Sequence, residues 1–183
     1  MKKGLMLLAD GFEITEALTT VDILKRTHVL ACSLASIGGS NVVTSSCGVQ
    51  VLADSFLSEV RPGEYDFLIL PGGKLGVENL KACPKVLEAV LDFYKNGKGV
   101  YAICAAPSIL GMLGILDGKK YTCFPGFQCV KGEYVDAPCV EDGSVITGHS
   151  MAFTIPFAEA IAKKEAGLEA LELTYPGTRG IAK

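Results

Sequence analysis

Of the seven cysteines in this 183-residue chain, one stands where a nucleophile would be placed. Cys104 follows the apolar run Val100-Tyr101-Ala102-Ile103 and precedes Ala105-Ala106-Pro107-Ser108. A buried strand passes there into a helix with no loop between, and the small alanines let the turn be sharp. Pro107 suits a first helical turn, whose N–H groups have no helical partner. This strand–turn–helix layout is the elbow by which α/β enzymes expose a nucleophile. A helix N-terminus near the sulfur should lower the thiol pKa below its usual ~8.5. Read blandly, Cys104 is a core cysteine. That is what we expect of most of the other six, Cys32, Cys47, Cys83, Cys123, Cys129 and Cys139.

Two more segments could assist a thiol. Pro71-Gly72-Gly73 ends an apolar strand, and its glycines would let backbone amides approach a ligand and donate to an oxyanion. A plain strand-to-loop turn is the competing reading. Asp10-Gly11-Phe12-Glu13-Ile14-Thr15-Glu16 closes the first strand and opens the first helix. Glu13 is explained as a dipole partner of that helix. Glu16 lies one helical turn further on, where its carboxyl could face the crevice and move protons.

The elements that must position these residues are short apolar runs alternating with helical patterns. Strands are predicted at Gly4–Ala9, His28–Ser36, Tyr65–Leu70, Gly99–Ile103, Tyr121–Phe124 and Ser144–Thr147. Helices are predicted at Glu13–Arg26, Pro84–Lys95, Ala105–Leu116 and Phe153–Lys164, and a hairpin within Asn41–Ala53. This alternation implies βαβ units, a mostly parallel sheet and right-handed crossovers. The expected fold is α/β: a flavodoxin-like three-layer αβα sandwich, with residues 1–183 forming one domain. Sites in such folds lie beyond the carboxyl ends of the strands. Two other uses of the architecture fail. A response regulator needs an aspartate after the third central strand, where this chain has Pro71-Gly72. A flavodoxin needs a phosphate loop after the first strand, where Asp10 and Glu13 would repel a phosphate.

Composition narrows the classes further. The net charge is −3, and the Lys and Arg residues are scattered, so no basic stripe offers itself to nucleic acid. The apolar stretch Leu5–Ala9 is too short for a signal peptide, and no run is long enough to cross a bilayer. With two histidines and no C-x-x-C spacing, a zinc module has few ligands to draw on, so no metal or cofactor is expected. Free thiols in a reducing, cytoplasmic compartment are the simplest account of the cysteines.

The blocks Leu8-Ala9-Asp10-Gly11-Phe12-Glu13-Ile14-Thr15-Glu16, Leu70-Pro71-Gly72-Gly73-x-x-Gly76 and Ala102-Ile103-Cys104-Ala105-Ala106-Pro107 together resemble the ThiJ/PfpI superfamily. They look closest to its branch of the parkinsonism-associated protein deglycase. The resemblance covers about residues 3 to 165. It implies a homodimer and a reactive elbow cysteine at Cys104. It also implies a protonated glutamate at Glu16 bonded to that cysteine, and an anion pocket from the amides of Gly72, Gly73 and Ala105. Protease-like members carry a histidine directly after the cysteine; Ala105 stands there, which speaks against peptidase activity. Many members of the branch it resembles carry a histidine where this chain has Phe124. His149, just past Ser144–Thr147, is the candidate replacement. The activity implied is cysteine-dependent conversion of small 2-oxoaldehydes, without glutathione, or of their protein adducts. The alternative is a non-catalytic sensor of oxidative stress, or a redox chaperone, working through an oxidisable Cys104.

Overall fold

The computed structural model describes residues 1–180. In chain order the strands are β1 (Lys2–Leu8), β2 (Leu30–Ser36), β3 (Val42–Thr44), β4 (Gln50–Leu52), β5 (Ser55–Phe56), β6 (Phe67–Leu70), β7 (Gly99–Ile103), β8 (Lys120–Tyr121), β9 (Glu133–Tyr134), β10 (Cys139–Asp142) and β11 (Val145–Gly148). The helices are α1 (Ile14–Arg26), α2 (Lys74–Ala82), α3 (Pro84–Lys95), α4 (Pro107–Met112), α5 (Thr154–Ala166), α6 (Leu168–Glu172) and α7 (Tyr175–Arg179). Seven strands form one sheet in the order β10-β11-β7-β6-β1-β2-β5. Its pairs are parallel except β10–β11. The expected flavodoxin-like architecture is the one observed.

Strand alternation builds the two layers of core. Leu5, Leu7, Leu68 and Leu70 pack with Val77, Val86, Val90 and Phe93 of α2 and α3. Met6, Leu8, Ile69 and Ile103 point the other way, onto Ala17, Val21 and Leu24 of α1 and Phe157 and Ile161 of α5. Each fully buried side chain of this size contributes about 1.5–3 kcal/mol. A shift of one residue in β1 would exchange its two apolar faces and carry Ala9 and everything after it to new places.

From β1 the chain crosses to β2 on one side, and later returns to β6 on the other. The crevice between diverging crossovers is where open α/β sheets bind ligands. The carboxyl ends of β1, β6 and β7 meet there, and they carry Asp10–Glu16, Pro71–Gly73 and Cys104.

Several expectations need correcting. The helix predicted over Ala105–Leu116 shrinks to Pro107–Met112, because the backbone turns at Leu113 and Gly114 takes a φ of +73°. The strand predicted over Tyr121–Phe124 ends at Tyr121; the N–H of Thr122 turns instead to Thr147 Oγ1, 2.9 Å away. His28 is not in β2. It takes a left-handed turn at φ +58° after Thr27 caps α1, and the two residues together reverse the chain. Helix α2 was hidden behind the Pro-Gly-Gly stop signal, and β10 is a short edge strand with little pattern to read. By contrast α3 and β7 match their predicted ranges residue for residue, and β3–β4 is the expected hairpin.

Candidate active site

Cys104 occupies a left-handed backbone conformation, φ +64°, rare for a residue with a side chain. Three bonds hold it there. Its N–H donates to Gly148 O at 2.9 Å, its carbonyl accepts from Phe124 N at 2.8 Å, and Ala106 N–H closes the turn onto Ile103 O at 3.0 Å. The sulfur is therefore lifted off the strand and turned toward α1 and β6. The amides of Ala105 and Gly73 point at it.

Glu16 reaches the same gap from α1. The helix starts where Glu13 accepts a hydrogen bond from Glu16 N–H at 2.7 Å, which makes Glu13 the cap and leaves the Glu16 side chain free to turn inward. Its carboxyl is fully buried. Oε2 accepts from Gly72 N–H at 2.8 Å, while Oε1 has no hydrogen-bond partner within normal geometry. Gly72 is wedged between the two: a Cβ there would lie 2.5 Å from Glu16 Oε2 and 2.7 Å from Cys104 Cβ. Gly73 has φ +89°, and any side chain on it would strike the backbone at Gly11 and Phe12.

This geometry revises two sequence expectations. The Gly72 amide does not face a substrate anion; it is committed to Glu16, whose buried oxygen has the greater need of a donor. The amides of Gly73 and Ala105 are the ones turned toward the Cys104 sulfur. The thiol of Cys104 is pushed up to about 12 rather than down, by burial first and then by the neighbouring Glu16 carboxylate, which outweigh those two amides. The helix behind the elbow has only six residues and adds little dipole. Burial likewise lifts Glu16 to about 7. Near neutral pH the gap therefore holds at most one negative charge.

His149 follows Gly148, so its backbone adjoins the elbow. Its ring packs edge-on against Phe153, with centroids 5.6 Å apart, and Nε2 lies 3.6 Å from Asp136 Oδ1. Nδ1 is buried without a hydrogen-bond partner. The structure thus pairs His149 with Asp136, whose carboxylate is exposed, and gives it no bond to Cys104 or Glu16. A separate cleft of about 560 Å³ opens between the ends of β1 and β2, lined by Asp10, Ser36–Ser40 and Asn79. Asp10 acts there as a strut, accepting from Thr44 N–H through its side chain and from Asn79 Nδ2 through its carbonyl, both at 2.8 Å. Cys47 is a thiol that sequence reasoning passed over. It is exposed on the β3–β4 hairpin, and a contact with Ser45 Oγ at 3.3 Å lowers its pKa. The contact is local, made across the turn that joins β3 to β4. Among the described residues no three His, Cys, Asp or Glu side chains gather as a metal site.

The model of the DJ-1/PfpI family matches residues 2–164. The chain belongs to this family. It is 34% identical over 181 residues to Protein dj-1beta of Drosophila melanogaster, covering 96% of each chain. A deglycase of Pyrococcus abyssi is 34% identical over 149 residues, 78% of this chain and 87% of the relative. The crystal structure of a DJ-1 superfamily protein from Salmonella typhimurium, a cysteine-to-alanine mutant, superposes with a TM-score of 0.91 at 35% identity over the whole of both chains. A tight elbow, a buried glutamate and a glycine between them are what this DJ-1/PfpI chain brings together.

A buried carboxyl with a raised pKa holds its proton more tightly in the folded chain than in the unfolded one. That contribution to stability is fully present below about pH 4.5 and gone above about pH 7, where the folded protein carries a buried charge. Glu16→Gln removes the charge and keeps the shape. The stability of this variant relative to the parent should improve by about 3 kcal/mol between those two pH values, read from denaturant unfolding. An unchanged difference would mean that Glu16 titrates normally.

Proposed function

We propose that this DJ-1/PfpI protein converts small 2-oxoaldehydes, or their adducts on proteins, to 2-hydroxy acids, with Cys104 as nucleophile and Glu16 as general acid–base. The observation that carries the reading is the fully buried Glu16 carboxyl within hydrogen-bonding reach of the elbow thiol.

Once Glu16 is ionised, it takes the thiol proton as sulfur attacks the aldehyde carbon. The resulting alkoxide sits against the amides of Gly73 and Ala105 and takes the proton back from Glu16, leaving a hemithioacetal. Glu16 then removes the hydrogen from the former aldehyde carbon, and the electron pair moves into an enediolate. A proton passes between its two oxygens, and Glu16 returns the carbon proton to the former ketone carbon. The product is a thioester; water displaces it, and the sulfur regains its proton. One carbon is oxidised and its neighbour reduced, so the sequence balances with no outside oxidant.

The raised thiol pKa favours this base-assisted nucleophile over a freely ionised oxidation sensor. Seven unpaired cysteines support a reducing compartment, and no helix among the described residues is long and apolar enough to cross a membrane. A homodimer is part of the same reading, supported by Val42, Val49 and Leu52, which the β3–β4 hairpin leaves exposed. Light scattering at micromolar concentration should give twice the chain mass, and a monomer mass would contradict the dimer.

Purified protein should form lactate from methylglyoxal. Its kcat/KM should rise with pH through about 7 as Glu16 loses its proton. Cys104→Ser and Glu16→Gln should each lose about a hundredfold or more. Lactate formation that survives Cys104→Ser would overturn the assignment.

A further inference from the structure

The site carries an aromatic group for which the proposed chemistry has no use. Phe124 N–H holds the Cys104 carbonyl at 2.8 Å, which fixes its backbone to the elbow. The segment Phe124-Pro125-Gly126-Phe127 is a tight turn, closed by Phe127 N–H on Phe124 O at 3.1 Å, with Gly126 at φ +92°. Proline second and a positive-φ glycine third are the requirements of a type II turn, one of the stiffer connections a chain makes. Gly126 N–H is held in addition by Gln128 Oε1 at 2.8 Å. The turn sets the two phenylalanine rings edge to face, with centroids 6.5 Å apart. Phe127 packs against the core, and Phe124 remains 44% exposed. A phenyl ring is thus backed by a second ring, mounted on a turn whose backbone is tied to the elbow, and left open to solvent.

The segments bordering the gap carry Glu13 and Glu16, with Lys74 next to Gly73 and no arginine, and the His149 ring lies nearest the exposed Asp136. A neutral apolar substituent finds a ring there.

Resting on the aldehyde reading, we propose that Phe124 determines specificity: it is the ledge for the substituent on the ketone carbon. The substrates favoured are 2-oxoaldehydes with an aryl or bulky alkyl group.

The test compares kcat/KM for phenylglyoxal and methylglyoxal in the full chain, followed as the two 2-hydroxy acids. The parent should prefer phenylglyoxal by about tenfold, the discrimination one apolar contact supplies. Phe124→Ala should bring the ratio close to one, and Phe124→Leu should restore part of it. The ring lies outside the core, so the alanine variant should keep the fold, as circular dichroism will report. A ratio that is the same in parent and alanine variant overturns the proposal. A second arm needs no turnover: labelling of Cys104 by benzyl and methyl methanethiosulfonate, read by peptide mass spectrometry. There the cysteine sulfur bonds to the reagent's sulfenyl sulfur and methanesulfinate leaves. If neither aldehyde is turned over, the aldehyde reading falls. The ledge still stands if the parent's preference for the benzyl reagent exceeds the variant's, and equal preference removes it.

Discussion

Two acids share a gap too dry for two charges. Glu16 has no exposed surface and one backbone amide, that of Gly72, for its carboxyl, and the Cys104 thiol lies within hydrogen-bonding reach of it. Buried in this way, a carboxyl holds its proton to about pH 7, and once it ionises it opposes ionisation of the thiol. The proton therefore moves between the pair with little change in total charge. A lone buried thiol would be inert, and a lone buried carboxyl would be a defect. Together they form an acid–base couple poised near physiological pH.

The fold exists around that gap in a direct sense. The parallel strands β1, β6, β7 and β11 end side by side, and the segments that follow bind each other in pairs. Glu13 N–H donates to Gly72 O at 3.0 Å, Gly76 N–H to Gly11 O at 3.1 Å, and Cys104 N–H to Gly148 O at 2.9 Å. Such cross-ties stabilise the left-handed turn at Cys104, a conformation that costs on the order of 1–3 kcal/mol and persists only where its surroundings over-determine it. Gly72 and Gly73 are glycine for steric reasons: the first for the acids on either side of it, the second for the backbone of the first loop.

How much of this could be read from the sequence depended on how local each cause was. The Cys104 elbow announced itself, because an apolar strand, small residues and a first-turn proline are neighbours in the chain. Helix α3 and strand β7 were legible for the same reason. The direction of the Glu16 side chain came from the family resemblance, since helical spacing alone left it undecided. The partner of the Gly72 amide was misread because it depends on a carboxyl 56 positions away. The thiol pKa was given the wrong sign. A long helix behind the elbow would lower it, but α4 ends at Met112 and burial of the sulfur raises it. The turn at Phe124–Phe127 carried a readable Pro-Gly signal that the apolar residues before it obscured.

Titration of the Glu16 carboxyl in the intact protein tests the account most directly. NMR of selectively labelled glutamate, assigned by comparison with Glu16→Gln, should show one carboxyl still protonating near pH 7, with the Cys104 thiol un-ionised through that range. A Glu16 carboxyl that titrates at its ordinary value of 4.5, or a Cys104 thiolate already formed below pH 7, would contradict the shared-charge pair on which the rest of the account is built.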